Sequence, residues 1–254
     1  MKTLPTTNVF KVFQDKESYF NEIDQKQSNR LLVNQILIIC LFGFIYGLTM
    51  GSYHSFLQAV VAGAKLMILF ITSLLICFPS FYIIQQIMGS KMKLKQLALI
   101  ILSGFVLSST IILSFAPIII FFLITGNNYH FLQLLHVAIF IFAGFFGVRL
   151  IIDALKYACE KKNIYPQIGV TGFKVWIIIL AFVSIQLAWN LRPFLGDRND
   201  GFKLFRKYEG NFYTAIVYSA KQLFSNKNKT ENEQNESHQN VQKDSIDFDN
   251  YFGE

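Results

Sequence analysis

Between residues 31 and 194 the sequence runs in long apolar stretches broken by short polar clusters, and nothing else in it narrows the fold so far. A helix needs about 20 apolar residues to cross roughly 30 Å of bilayer hydrocarbon. Candidate spans of that kind are residues 31–50, 56–79 with a polar end at Gln85 and Gln86, 131–152 continuing as a polar helix through Lys162, and 173–190. The expected fold is therefore all-α, a polytopic transmembrane helix bundle. Composition agrees, with 53% hydrophobic residues, 27 Phe and only 15% charged residues. A soluble domain carries about 25% charged residues.

The remaining stretch, residues 96–125, decides the number of spans, being too long for one perpendicular helix and short for two. Pro117 removes a backbone donor and predicts a kink. Ser108, Ser109 and Thr110 mark either a turn or a polar inner face. One tilted, kinked helix is favoured, giving five spans; a tight re-entrant pair, giving six, is the alternative.

Charge is segregated to the flanks. The net charge of +7 divides into +11 for residues 1–224 (20 basic, 9 acidic) and −4 for residues 225–254 (3 basic, 7 acidic). The cations lie scattered between spans instead of gathering on one soluble surface, so nucleic acid is not an expected partner and the lipid bilayer is. Loops at residues 52–55 and 126–129 hold no lysine or arginine, whereas Lys91, Lys93 and Lys95, and later residues 156–174, make basic connections. The positive-inside rule then places the N-terminus and both basic loops in the cytoplasm. Five spans put the C-terminal segment outside despite Arg192, Arg198 and Lys203. Six put it inside but export Lys161 and Lys162.

Four regions follow. Residues 1–30 read as a cytoplasmic segment with an amphipathic helix, in which Val9, Val12, Phe13, Phe20 and Ile23 recur at helical spacing. They contain no continuous apolar core of a signal peptide, so targeting falls to the first span. Residues 31–194 are the bundle, and residues 195–224 mix aromatics with cations as an interfacial amphipathic segment. Residues 225–254 are polar enough to predict a disordered tail.

Within the bundle, Gly43, Gly47 and Gly51 recur every four residues on one helical face, and Ala59 and Gly63 repeat that spacing in the second span. Missing side chains let helices approach closely, so this face predicts packing between spans 1 and 2, with a homo-oligomer contact as the alternative. Lys65 lies inside an apolar run, where an ionised group costs on the order of 2.5–3.5 kcal/mol by insertion scales. It either snorkels toward the nearby loop or makes a buried ion pair or substrate contact. His136 reads as a satisfied or interfacial histidine, or as a proton relay. Trp189, Asn190, Arg192 and Pro193 end the fifth span as interface anchors, or as a cap on the bundle or a headgroup site.

The sequence contains no Ser-His-Asp constellation at a plausible place, no phosphate-binding glycine loop and no His-Glu-x-x-His motif, so an enzyme is not expected. Cys40, Cys77 and Cys159 have no disulfide or metal spacing, and no metal or cofactor is expected.

Two resemblances complete the reading. Five spans behind a cytoplasmic polar segment resemble the Yip family of membrane-trafficking proteins and its bacterial relatives. More specifically, Trp189, Leu191, Arg192, Pro193, Phe194 and Gly196 form Trp-x-Leu-Arg-Pro-Phe-x-Gly, followed by Phe205, Arg206, Glu209, Asn211 and Phe212. That stretch is similar to one in uncharacterised bacterial multi-pass inner-membrane proteins, with Leu204 standing where they have Phe. The resemblance implies a bacterial cytoplasmic membrane and no activity. The expected function is membrane organisation or assembly of a partner complex, with a second copy or another membrane protein as partner. The alternative is a small transporter or channel using Lys65, His136 and the polar cluster 108–110.

Overall fold

The structure, a computed structural model, describes residues 28–125, 129–161 and 163–195, together with Ile216, Val217 and Lys221. Among these residues there are helices and no strand: α1 Ser28–Gly51, α2 Phe56–Ile87, α3 Leu94–Ser114, α4 Ala116–Thr125, α5 Tyr129–Glu160 and α6 Gln167–Leu191. Five units are long and apolar enough to cross a membrane, because α3 and α4 form one span, Leu94–Thr125. The protein is an all-α, multi-pass membrane protein. The expected amphipathic N-terminal helix and polar tail lie outside the described residues, and of the interfacial segment only Leu195, Ile216, Val217 and Lys221 are described.

Local chemistry explains where the helices start, stop and bend. Ser55 takes an extended backbone and its side chain accepts from Gln58 N at 3.2 Å, capping α2. At the other end of α2, Gly89 has φ +89, a conformation that suits glycine, and Ser90 N returns to Gln85 O at 3.0 Å. Pro117 lacks an N–H, so the ladder between α3 and α4 is interrupted. Phe115 N is shared between Ile112 O at 3.1 Å and Ile111 O at 3.3 Å, a tightened turn, and Ile119 N then resumes the ladder onto Phe115 O. The ladder is interrupted there and resumes, so the long third stretch is one span with a joint.

The helices are longer than the apolar runs suggest. α1 starts at Ser28, and α6 starts at Gln167. α2 passes through Pro79, its apolar limit in the sequence, and reaches Ile87. Membrane helices tolerate an internal proline when neighbours satisfy the disturbed backbone. Pro79 deprives the carbonyl of Leu75 of its usual donor, while the nearby carbonyl of Cys77 ties α2 to α6 by accepting from Trp176 Nε1 at 3.0 Å and also accepts from Ser80 Oγ at 2.8 Å. α2 and α5 each have 32 residues, about 48 Å of helix, so they must tilt or project beyond the hydrocarbon.

Neighbouring helices follow the order α6–α2–α1–α3–α5, with α5 also touching α6. Two apolar clusters fill the interior. One, toward the lysine-bearing loops, centres on Phe81, Phe173 and Trp176, whose rings lie 4.5–5.6 Å apart. The other, toward the opposite end, gathers Tyr46, Leu66, Leu69, Ile119, Leu132 and Ile139. The outside is equally apolar. Val33, Leu37, Leu41 and Ile45 form an exposed stripe on α1, and Ile141, Phe142, Phe145 and Phe146 another surface on α5. Such surfaces in water would be an aggregation hazard, whereas acyl chains solvate them.

Candidate functional site

The glycines of α1 meet α2 backbone to backbone. A Cβ on Gly47 would lie 2.6 Å from Gly63 Cα and 2.7 Å from Ala62 O, and one on Gly51 would lie 2.6 Å from Ala59 Cα. Gly43 faces the ring of Phe70, and Gly63 faces Phe44. All five small residues singled out in the sequence therefore line one seam between spans 1 and 2. A second seam, which sequence reading missed, joins α3 to α5. Gly104 faces Ile151 and the carbonyl of Gly147, and Ser108 Oγ donates to Ala143 O at 3.0 Å. Its signal was present as Gly104-x-x-x-Ser108 facing Ala143-x-x-x-Gly147, small residues four apart on both helices.

At the end of the bundle away from the lysine loops, a polar knot forms. After α6 the chain turns at Arg192 and Pro193, joined by a cis peptide bond, and folds back so that Leu195 is buried in the second apolar cluster. The carbonyl of Pro193 accepts from Gln58 Nε2 at 3.1 Å and from Lys65 Nζ at 3.2 Å. Gln58 and Lys65 are seven apart, which puts them on one face of α2, and a carbonyl oxygen has two lone pairs to offer. Lys65 is 4% exposed, so its ammonium does not snorkel free into water but ends on the segment that closes the bundle. Gln58 was not singled out in the sequence; its spacing of seven from Lys65 is the signal that could have found it.

His136, on α5, is joined to Tyr46 on α1 by a hydrogen bond of 2.8 Å between Nδ1 and the phenol oxygen. The two rings stand perpendicular, with centroids 5.6 Å apart. His136 is 3% exposed, and its Nε2 has no hydrogen-bond partner among the described residues. Trp189 is buried, and the Arg192 guanidinium carbon lies 3.1 Å over its ring, a cation–π contact. Asn190 is exposed. The candidate residues of the sequence thus fall into two groups: Lys65 with Pro193 and the Trp189–Arg192 pair close the end of the bundle, while His136 ties α5 to α1.

The hydroxyls at positions 108–110 are likewise engaged. Ser109 Oγ and Thr110 Oγ1 donate back to Val106 O at 2.9 and 2.7 Å. At the lysine-loop end, Gln85 links α2 to α6: its Nε2 donates to Gly169 O at 3.2 Å and its Oε1 accepts from the Tyr165 hydroxyl at 2.6 Å. Burial, assisted by the Cys159 thiol, pushes the Tyr165 phenol well above its ordinary range. Among the described residues no three His, Cys, Asp or Glu side chains come together.

Comparison with known proteins finds no matching family model, no matching curated protein and no matching solved structure.

Proposed function

We propose that this chain is a multi-pass protein of a bacterial cytoplasmic membrane that organises the membrane or assembles a partner complex, and that it is not an enzyme. One observation carries the reading. The polar groups inside the bundle are used to tie helices together: Gln58 and Lys65 to Pro193, Tyr46 to His136, Ser108 to Ala143 and Gln85 to Gly169. A substrate path needs polar groups that exchange partners, whereas a scaffold needs them fixed. The bacterial membrane rests on the resemblance carried by the stretch around Trp189, Arg192 and Pro193. The orientation, with the lysine-bearing loops in the cytoplasm, rests on their charge against the cation-free loop at residues 52–55.

The partner is another membrane protein or a second copy, and neither needs a cofactor. Photo-crosslinking in native membranes followed by mild-detergent extraction tests this. The protein should migrate in a complex with a reproducible partner, and the Lys65→Leu variant should enter the same complex. A protein that crosslinks to nothing and extracts as a monomer overturns the assembly reading. The second reading, a small transporter or channel, is favoured by the buried, unpartnered Nε2 of His136. Solute or ion flux into proteoliposomes that disappears in His136→Leu would put it first.

A further inference from the structure

At the lysine-bearing end, four cations are brought to one edge of the bundle by three separate pieces of chain. Arg30 stands in the first turn of α1, Lys91 and Lys93 in the connection from α2, and Lys95 in the first turn of α3, and all four are exposed. Lys95 Nζ donates to Asn29 Oδ1 at 2.8 Å, which sets the start of α3 beside the start of α1. The connection itself is held rigidly. Lys91 N donates to Ile164 O at 3.0 Å, Gln86 Nε2 donates to Met92 O at 3.1 Å, and Met92 N donates to Ser90 Oγ at 3.2 Å. Met92 is 2% exposed, so the extended stretch alternates and turns Lys91 and Lys93 outward on either side of it.

Among the described residues these charges are poorly compensated. The only acidic residues among those described are Asp153 and Glu160, both on α5, while Lys156 and Lys161 add further positive charge to the same end. The first turn of α3 holds no acid, so Lys95 sits at the positive end of the helix dipole. The apolar shelf open to the surroundings is made of side chains within four positions of these cations along the chain: Ile87 is 81% exposed, Val33 53% and Leu94 48%. Cations standing on such a shelf match a molecule with an anionic head and hydrocarbon chains. A soluble acidic polypeptide would satisfy the charges and leave the shelf uncovered.

We propose that Arg30, Lys91, Lys93 and Lys95 bind the headgroup of an anionic glycerophospholipid from the surrounding leaflet, whose acyl chains lie against Val33, Ile87 and Leu94. The site goes beyond the assembly reading and stands whichever partner the protein assembles. Its physical basis is the attraction of clustered lysine and arginine for anionic lipid, which is strong near the surface and is screened by salt.

The test uses the full-length protein reconstituted in phosphatidylcholine bilayers with a trace of spin-labelled phosphatidylglycerol or, in parallel, spin-labelled phosphatidylcholine. The fraction of each label immobilised by the protein is read by electron spin resonance. Phosphatidylglycerol should be enriched about fivefold or more over phosphatidylcholine at low salt, and the enrichment should collapse as salt approaches about 1 M, where the Debye length is roughly 3 Å. The R30Q/K93Q/K95Q variant should lose most of it, while K156Q/K161Q, on the neighbouring helix end, should keep most of it. Equal immobilisation of the two labels by the unaltered protein overturns the proposal, even if a soluble acidic peptide binds the same end. Enrichment that survives molar salt overturns it too, and that arm holds if the triple variant fails to insert.

Discussion

The carbonyl oxygen of Pro193 accepts two donors from one face of α2, so either donor alone should hold the closing segment. Lys65→Leu leaves Gln58 in place and should cost on the order of 1 kcal/mol or less. The double change Gln58→Leu with Lys65→Leu should release the segment, and a cysteine placed at Leu195 should then react with a membrane-impermeant thiol reagent that it resists in either single variant. The Tyr46–His136 bond is a sharper case, because both groups are buried. Tyr46→Phe strands a second ring nitrogen of His136 and should destabilise the protein by about 1 kcal/mol, within the spread of roughly 0.6–1.7 kcal/mol found for interhelical bonds in membranes. A double-mutant cycle with His136→Leu, read by reversible unfolding in mixed micelles, should show coupling of similar size. Tyr165 supplies a pH test. Its folded-state pKa is raised, so its contribution is fully present below the ordinary phenol value near 10 and is lost as pH climbs above it. Tyr165→Phe should lessen that alkaline loss, read as a shallower fall of stability with pH above about 10.

At the level of helices, glycine position decides cost. Gly47→Ala drives a methyl group into the backbone of Gly63 and Ala62 and must push α1 from α2. Gly144, on α5, has nothing within 4 Å of where a methyl group would stand, so Gly144→Ala should be neutral or stabilising, by up to about 1 kcal/mol of helix propensity. The contrast, measured as detergent-denaturant midpoints, separates close packing from propensity. The α1–α2 seam was legible because three glycines at a spacing of four can only mark one face. The α3–α5 seam was harder to read, since Ser108 and Ala143 stand where glycines would draw notice. Helix ends were unevenly legible: the polar extensions of α2 past Pro79 and of α5 past residue 152 could be read, whereas the starts of α1 at Ser28 and α6 at Gln167 lie among polar residues that give no apolar signal.

For the molecule as a whole, the five spans among the described residues place the start of α1 and the end of α6 at opposite faces of the membrane. Alkaline phosphatase fused after Asn127 or Phe224 should be active, and fused after Tyr165 inactive; activity after Tyr165 would reverse the proposed orientation. The exposed stripe Val33, Leu37, Leu41 and Ile45 belongs to this scale too, since it is the bundle's outer wall and not a defect of packing.

Apolar run length and glycine spacing determined the all-helical membrane fold and the first helix seam and favoured five spans over six, because each depends on local periodicity and on the thickness of hydrocarbon. Tertiary structure alone decided where the polar side chains end. Lys65 meets Pro193 across 128 positions and Tyr46 meets His136 across 90. Such bonds follow from which helices become neighbours, and that is set by the fit of side chains across the bundle.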